Sequence, residues 1–144
     1  MIPEREYLKI QELMPISAIN LIVLWQNKFL LIYRDKEPAK NQWWVPGGRI
    51  FKNETLLEAV KRKLKDLNLI GEIIRQGATH EFIVPDTLNE IKSGIHHIST
   101  TYIVRLSQEP KITPGIKYQW FEKIDPKLHP YVKEVLKEIK KINL

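Results

Sequence analysis

The chain contains no cysteine. Disulfides and thiolate metal sites are excluded, and a reducing intracellular setting fits, so a cytoplasmic location is expected. It also lacks any uninterrupted run of about 18 apolar residues, so no membrane span is expected and the membrane is not a predicted partner. Met1 to Ile10 carry Glu4, Arg5, Glu6 and Lys9 and have no apolar stretch of the secretory kind. No repeat, low-complexity segment or linker-like stretch interrupts the sequence. Its 144 residues, 43% hydrophobic, suit one domain spanning 1–144 with a real core. Acidic residues are in deficit, 17 against 23 basic ones, for a formal net charge of +6. That balance favours anionic partners such as nucleotides, phosphates or nucleic acid. A solvated C-terminal helix face carrying Lys137, Lys140 and Lys141 accounts for part of it, so charge alone does not choose a function.

What is present reads as strands and helices in a definite order. Pro3 to Leu13 forms a leading helix with Tyr7, Ile10 and Leu13 on one face, and Pro15 ends it. Ala18 to Trp25 is a buried strand, and Gln26-Asn27 turns into a second strand, Lys28 to Tyr33. Asp35 to Asn41 is a polar loop containing Pro38. Gln42 to Val45 is a short strand that Pro46-Gly47-Gly48 stops. A helix then begins with Asn53 as N-cap and Glu54 at the positive end of its dipole. Leu56, Val60, Leu64 and Leu67 form its apolar stripe, and it fades by Asn68 or Leu69. Glu72 to Gln76, Thr79 to Val84, Ile95 to Leu106 and Tyr118 to Glu122 are extended, with a polar loop over Pro85 to Gly94. Pro130 opens a final amphipathic helix to about Ile142. The pattern predicts an α+β fold with a mixed sheet between helices.

The chemistry concentrates around Gly48. Gly48, then Glu54 six positions on, then Arg62 eight further, follow a Trp43-Trp44-Val45-Pro46-Gly47-Gly48 strand exit. This resembles the Nudix box, G-x5-E-x7-R-E-U-x-E-E-x-G-U with U a bulky aliphatic residue, and implies the Nudix fold, an α/β/α arrangement. In such a box glycines let the backbone approach a phosphate or metal. Three glutamates at i, i+3 and i+4 share one helix face and hold Mg²⁺ against a diphosphate. Here those three positions read Lys63, Asp66 and Leu67, and the later glycine is Leu69. Leu67 continues the apolar stripe. Lys63 carries a charge suited to neutralising phosphate where a metal would sit, although a solvated helix lysine is the simpler reading. Glu54 and Arg62 are read as support for the loop and helix.

Outside the box the likeness sharpens. Arg34, Pro38-Ala39, the Trp43 to Arg49 segment, the leading helix, His80, Tyr102 and Tyr118-Gln119-Trp120-Phe121 are similar to the GDP-mannose mannosyl hydrolase branch. That branch hydrolyses nucleotide sugars by water attack at the anomeric carbon, with GDP departing. The resemblance assigns Arg34, Arg49 and His80 to catalysis and Arg34, Arg49 and Tyr102 to substrate binding. It leaves the Gly47 carbonyl and Asp66 to hold Mg²⁺. Arginine suits the diphosphate because its fork meets two phosphate oxygens at once. His96 and His97 are adjacent on a strand, so at most one faces the cleft and they are not a metal pair.

Two departures weigh against ordinary catalysis. The branch's histidine base, expected just before the Tyr-x-Trp strand, falls on Gly115 within Thr113 to Lys117. An aspartate expected on the first strand is Asn20. His80, Glu81 and Asp86 are the candidate replacement bases. Three functions follow, in this order: a divergent hydrolase of a nucleotide sugar or other nucleoside diphosphate derivative; an inactive domain binding the same ligands; and a nucleic-acid-binding or scaffold protein. Nothing beyond Trp43 and Trp44 supports the third, so nucleic acid is not expected as a partner. A homodimer is implied by the resemblance alone.

Overall fold

In the computed structural model, residues 2–36, 39–84 and 94–142 are described; Pro38 of the polar loop and residues 85–93, with the candidate base Asp86, lie outside them. Helix α1 (Glu4–Leu13) leads into strand β1 (Ile16–Trp25). There follow β2 (Lys28–Tyr33), β3 (Trp43–Trp44), β4 (Gly47–Arg49) and helix α2 (Leu56–Asp66). Strands β5 (Gly71–Val84), β6 (Ile95–Leu106) and β7 (Tyr118–Phe121) come next. Helix α3 (Pro130–Leu136) continues into a 3₁₀ turn, Lys137–Lys141.

All seven strands belong to one mixed sheet in the order β3-β2-β1-β6-β5, with β4 on β1 and β7 on β2. Its centre is the parallel pairing of β1 with β6, from Ile16 opposite His97 to Leu24 opposite Arg105. Along its other edge β1 divides its partners. Ala18 to Asn20 pair with β4, and Leu24 and Trp25 pair with β2. The Gly47-Gly48 segment is thereby fixed beside the first half of β1.

Residues of β1 are buried on both faces, as a central strand requires. Ile19, Leu21 and Val23 meet Val60, Leu64 and Leu67 of α2. Ile22 and Leu24 meet Val132, Val135 and Leu136 of α3. The sheet is thus covered by α2 on one face and α3 on the other, and the expected α+β sandwich is present.

Several local expectations are corrected. Asn53 does not cap α2; it turns the chain with φ of 67°, and Thr55 is the N-cap, its hydroxyl accepting from the Glu58 N–H. Two good capping residues stand two apart, and the tight turn takes the asparagine because Asn tolerates the left-handed region. The short strand does stop before Pro46, but the glycines after it are not a plain turn, since Gly47 to Arg49 form β4. Leu13 is 73% exposed, so only Tyr7 and Ile10 of the leading helix's stripe face inward. The two segments read between Glu72 and Val84 are one strand, irregular between Gln76 and Thr79. There the Ala78 N–H, out of register, donates to the buried Glu138 carboxylate at 3.1 Å. The final α-helix stops at Leu136 and tightens into the 3₁₀ turn that delivers Glu138.

Candidate active site

Gly47 lies opposite Asn20 in the β1–β4 pairing. A Cβ there would overlap the Ile19 carbonyl oxygen and stand 3.3 Å from the Asn20 Cα, so only glycine permits this approach. At Gly48 a Cβ would meet nothing within 4 Å and would enter open space. The close approach puts Arg49 at the strand's exit. Its guanidinium is stacked 4.6 Å from the Tyr7 ring centroid and 5.0 Å from that of Phe51. Aromatic faces hold it by cation–π attraction without neutralising its charge.

A clamp beneath Arg49 fixes this loop to α2. Glu54 receives Arg62 Nε at 2.7 Å and Nη2 at 3.0 Å, and accepts the Phe51 N–H at 3.0 Å. Arg62 Nη2 also donates to the Arg49 carbonyl at 3.0 Å. These bonds hold the Glu54 carboxyl below the usual carboxylate range, through Arg62 first and the Phe51 amide second. The geometry gives Glu54 and Arg62 the supporting work read for them in the sequence: the carboxylate is committed to the loop.

Next to this platform opens a cleft of about 510 Å³, within the range of small-molecule sites. Arg34, Arg49 and Lys63 all line it, with Gly47 and Gly48 between them. Arg34 follows β2 and is held by its backbone, the N–H donating to Gln42 at 2.9 Å and the carbonyl accepting from Asn41 at 2.8 Å. Helix α1 closes one side with Glu4, Tyr7, Leu8 and Gln11; Asn20, Trp44, His97, Ser99 and Tyr131 contribute from the α3 face.

The same cations act on the titratable groups around the cleft. Burial raises the Tyr7 hydroxyl above its ordinary value, with Arg49 and then Arg34 opposing. Burial lowers the Lys63 ammonium; Asp66 opposes that shift, while Arg62 and Arg34 add to it. His97 is depressed to about 4 by burial, then by Arg34 and His96, so its imidazole is neutral at neutral pH. Its Nε2 is buried without a hydrogen-bond partner.

Of the residues marked in the sequence, Arg34, Arg49 and Gly47 come together in the cleft, while His80, Tyr102 and Asp66 are not on its walls. His80 Nδ1 lies 3.1 Å from the Thr101 hydroxyl, with its ring edge-on to Tyr131 at 6.4 Å. Tyr102 is buried in the core beneath α2, its hydroxyl 3.4 Å from Gln76. Asp66 is 57% exposed and 3.9 Å from Arg62. Sequence reasoning missed Glu4 and Tyr7, and left His97 as one of an undecided pair. Strand parity with Ser99, given the β1–β6 register, is the signal that selects His97 over His96.

Nudix hydrolases generally use a divalent metal such as Mg²⁺, which demands several oxygen ligands. The described residues do not fit one. Among the described residues no group of three or more His, Cys, Asp or Glu side chains converges. Glu4, the only carboxylate among the described wall residues, is on α1 and exposed. Leu67, on the third glutamate position, is 3% exposed within the core.

Comparison with known proteins agrees with this architecture. The chain is 32% identical over 139 residues to the low-salt glycan biosynthesis protein Agl8 of Haloferax volcanii, covering 94% of this chain and 88% of that protein. A MutT protein from Methanosarcina mazei matches with TM-score 0.68 and 18% identity, over 90% of this chain and 96% of its own. A MutT NUDIX hydrolase from Burkholderia pseudomallei matches with TM-score 0.65 and 21% identity, over 88% and 98%. These two structural likenesses carry the fold. The model of the NUDIX domain matches residues 14–139, and with that match the chain belongs to the Nudix family.

Proposed function

We propose that the chain is a divergent hydrolase of nucleotide sugars or other nucleoside diphosphate derivatives, GDP-mannose-type glycosyl hydrolysis being the form that the sequence resemblance suggests. The observation that carries this reading is the convergence of Arg34, Arg49 and Lys63 on one cleft beside the Gly47-Gly48 turn. The name of the H. volcanii relative, a glycan biosynthesis protein, agrees with a sugar-bearing substrate. Arg34 and Arg49 stabilise the charge that builds on the departing diphosphate, where fixed cations in a shielded cleft act most strongly. In a water attack the proton passes to a wall residue, and His97, a neutral imidazole lining the cleft, is the acceptor in this reading. His80 acts through Tyr131, which it packs against, and Tyr102 supports the sheet behind the cleft. The ligand set read from the sequence, Gly47 with Asp66, supplies one exposed carboxylate, and no step here depends on it.

A second reading, an inactive domain that binds the same ligands, is favoured by there being one carboxylate, exposed, among the described wall residues. Incubation with a panel of nucleotide sugars and nucleoside diphosphates, followed for reducing sugar and phosphate esters, separates the two. Turnover that falls in His97→Gln and Arg49→Ala supports the hydrolase. Binding without turnover, lost in Arg49→Ala, supports the second reading and sinks the first. The same proposal takes the protein as a cytoplasmic homodimer that uses no nucleic acid, and sedimentation equilibrium checks the oligomeric state. No helix among the described residues is long and apolar enough to cross a membrane.

A further inference from the structure

Lys63 occupies the first of the three helix positions at which a Nudix box carries a glutamate, and its surroundings are those of a working charge. It sits half-buried on α2, lining both the main cleft and a smaller recess formed by Ile19, Gly47, Gly48, Arg49, Phe51 and Arg62. Among the described residues its ammonium has no ion-pair or hydrogen-bond partner. Asp66, one turn on, is paired instead with Arg62. A solvated surface lysine keeps its head in water and gains nothing from a recess. Here the head is partly desolvated, with Asp66 offsetting part of that burial and the like charges Arg62 and Arg34 adding to it. That arrangement opposes folding on its own and is relieved by an anion.

We propose that Lys63 supplies as a fixed ammonium the charge that a divalent cation supplies elsewhere in the family, so that the cleft binds the diphosphate of a nucleoside diphosphate or nucleotide sugar without metal. The inference rests on the reading of the cleft as a diphosphate site. Arg49 and Lys63 place two positive charges beside the glycine turn, matching the two negative charges of a diphosphate diester, and Arg34 lines the same cleft. Lys63 also repels Mg²⁺ from the same space, since two cations at contact distance in a partly dry cleft interact unfavourably. Backbone at Gly48 leaves room for a phosphate oxygen, because nothing stands within 4 Å of where a Cβ would be.

The test is calorimetric titration of the full chain with GDP, UDP, GDP-mannose and UDP-glucose, in EDTA and again with excess Mg²⁺. Binding in EDTA that Mg²⁺ changes by less than about twofold is expected. Lys63→Met, which keeps the buried stem, should weaken it by about tenfold in both buffers, the effect of losing one charge-assisted hydrogen bond. Lys63→Arg should retain it, and Lys63→Glu should bind only when Mg²⁺ is present. Thermal unfolding of each variant serves as the folding control. Binding by the unaltered protein only with Mg²⁺, or a folded Lys63→Met with unchanged affinity, overturns the inference while leaving the diphosphate site standing. Absence of binding in both buffers overturns the site and the inference together.

Discussion

Replacing Gly47 by alanine drives a methyl group into the backbone of β1. The new Cβ would overlap the Ile19 carbonyl oxygen, 3.1 Å from its carbon and 3.3 Å from the Asn20 Cα. None of these atoms belongs to a side chain that can swing away, so the strands must part. Overpacking of this kind costs about 1–3 kcal/mol. Separation also strains the β1–β4 ladder and the Leu21 N–H to Pro46 bond of 2.7 Å. Losing one or two such bonds adds about 0.5–1.5 kcal/mol each. The expected destabilisation is about 2–5 kcal/mol, a large part of the roughly 5–15 kcal/mol that holds a domain together. Urea unfolding reads it directly, and the melting temperature should drop by roughly 10 °C. Gly48→Ala is the control. Its Cβ meets nothing and its φ is not positive, so stability should change by less than about 0.5 kcal/mol. Gly48 lines the cleft, so the added methyl should weaken nucleotide binding. Equal stability of the two variants would refute the close approach, and with it the account of how Arg49 is placed.

Three further outcomes follow from the site and its supports. Glu54 is held below the ordinary carboxylate range, so the stability it confers is complete above that range and is lost as pH falls through its lowered value; melting curves of the unaltered protein and Glu54→Gln should converge in acid. His97 shifts stability in the same direction for a different reason, burial of its imidazole. With a folded value of about 4 against an ordinary 6.5, the unfolded chain takes up the proton first. Stability should fall as pH drops from 6.5 to 4, by no more than about 3 kcal/mol, and His97→Phe should lose that component in urea unfolding across pH. Tyr131→Phe removes the hydroxyl that accepts the buried Asn20 Nδ2 at 2.9 Å. It should destabilise by about 1–3 kcal/mol, and Asn20→Leu in the same background should recover part of it.

Most of the fold was legible because its signals are local. Strands β2 and β6 run over the residues expected, and Gln26 and Asn27, both at positive φ, make the turn their types suggest. Strand β4 was hidden by its glycines, which read as a break in any strand without a neighbour. Only the approach of Ile19 turns the same residues into a pairing requirement. Arg34 and Arg49 were marked by the family resemblance alone, and both line the cleft, one after β2 and one after the glycine turn. Tyr7 and His97 were not. Their entry into the cleft depends on α1 crossing to Arg49 and on the parallel register of β1 with β6, contacts between residues far apart in the sequence.

The burial of Leu67 sets a direction on how this site can change over generations. A glutamate at that position alone would place a carboxylate where 3% of the surface reaches water, in the core that α2 shares with β1. One turn earlier on the same helix stands Lys63, close enough at i, i+4 to capture the new charge as an ion pair before any metal arrives. A glutamate at 63 alone would bring a second anion beside Asp66 and leave the cleft one cation short. Each single step back towards a metal site therefore meets a penalty: burial at position 67, and at position 63 a loss of charge that only bound Mg²⁺ makes good. With a lysine and a leucine at these positions, single substitutions act on what a fixed positive charge can recognise more readily than they restore a metal site.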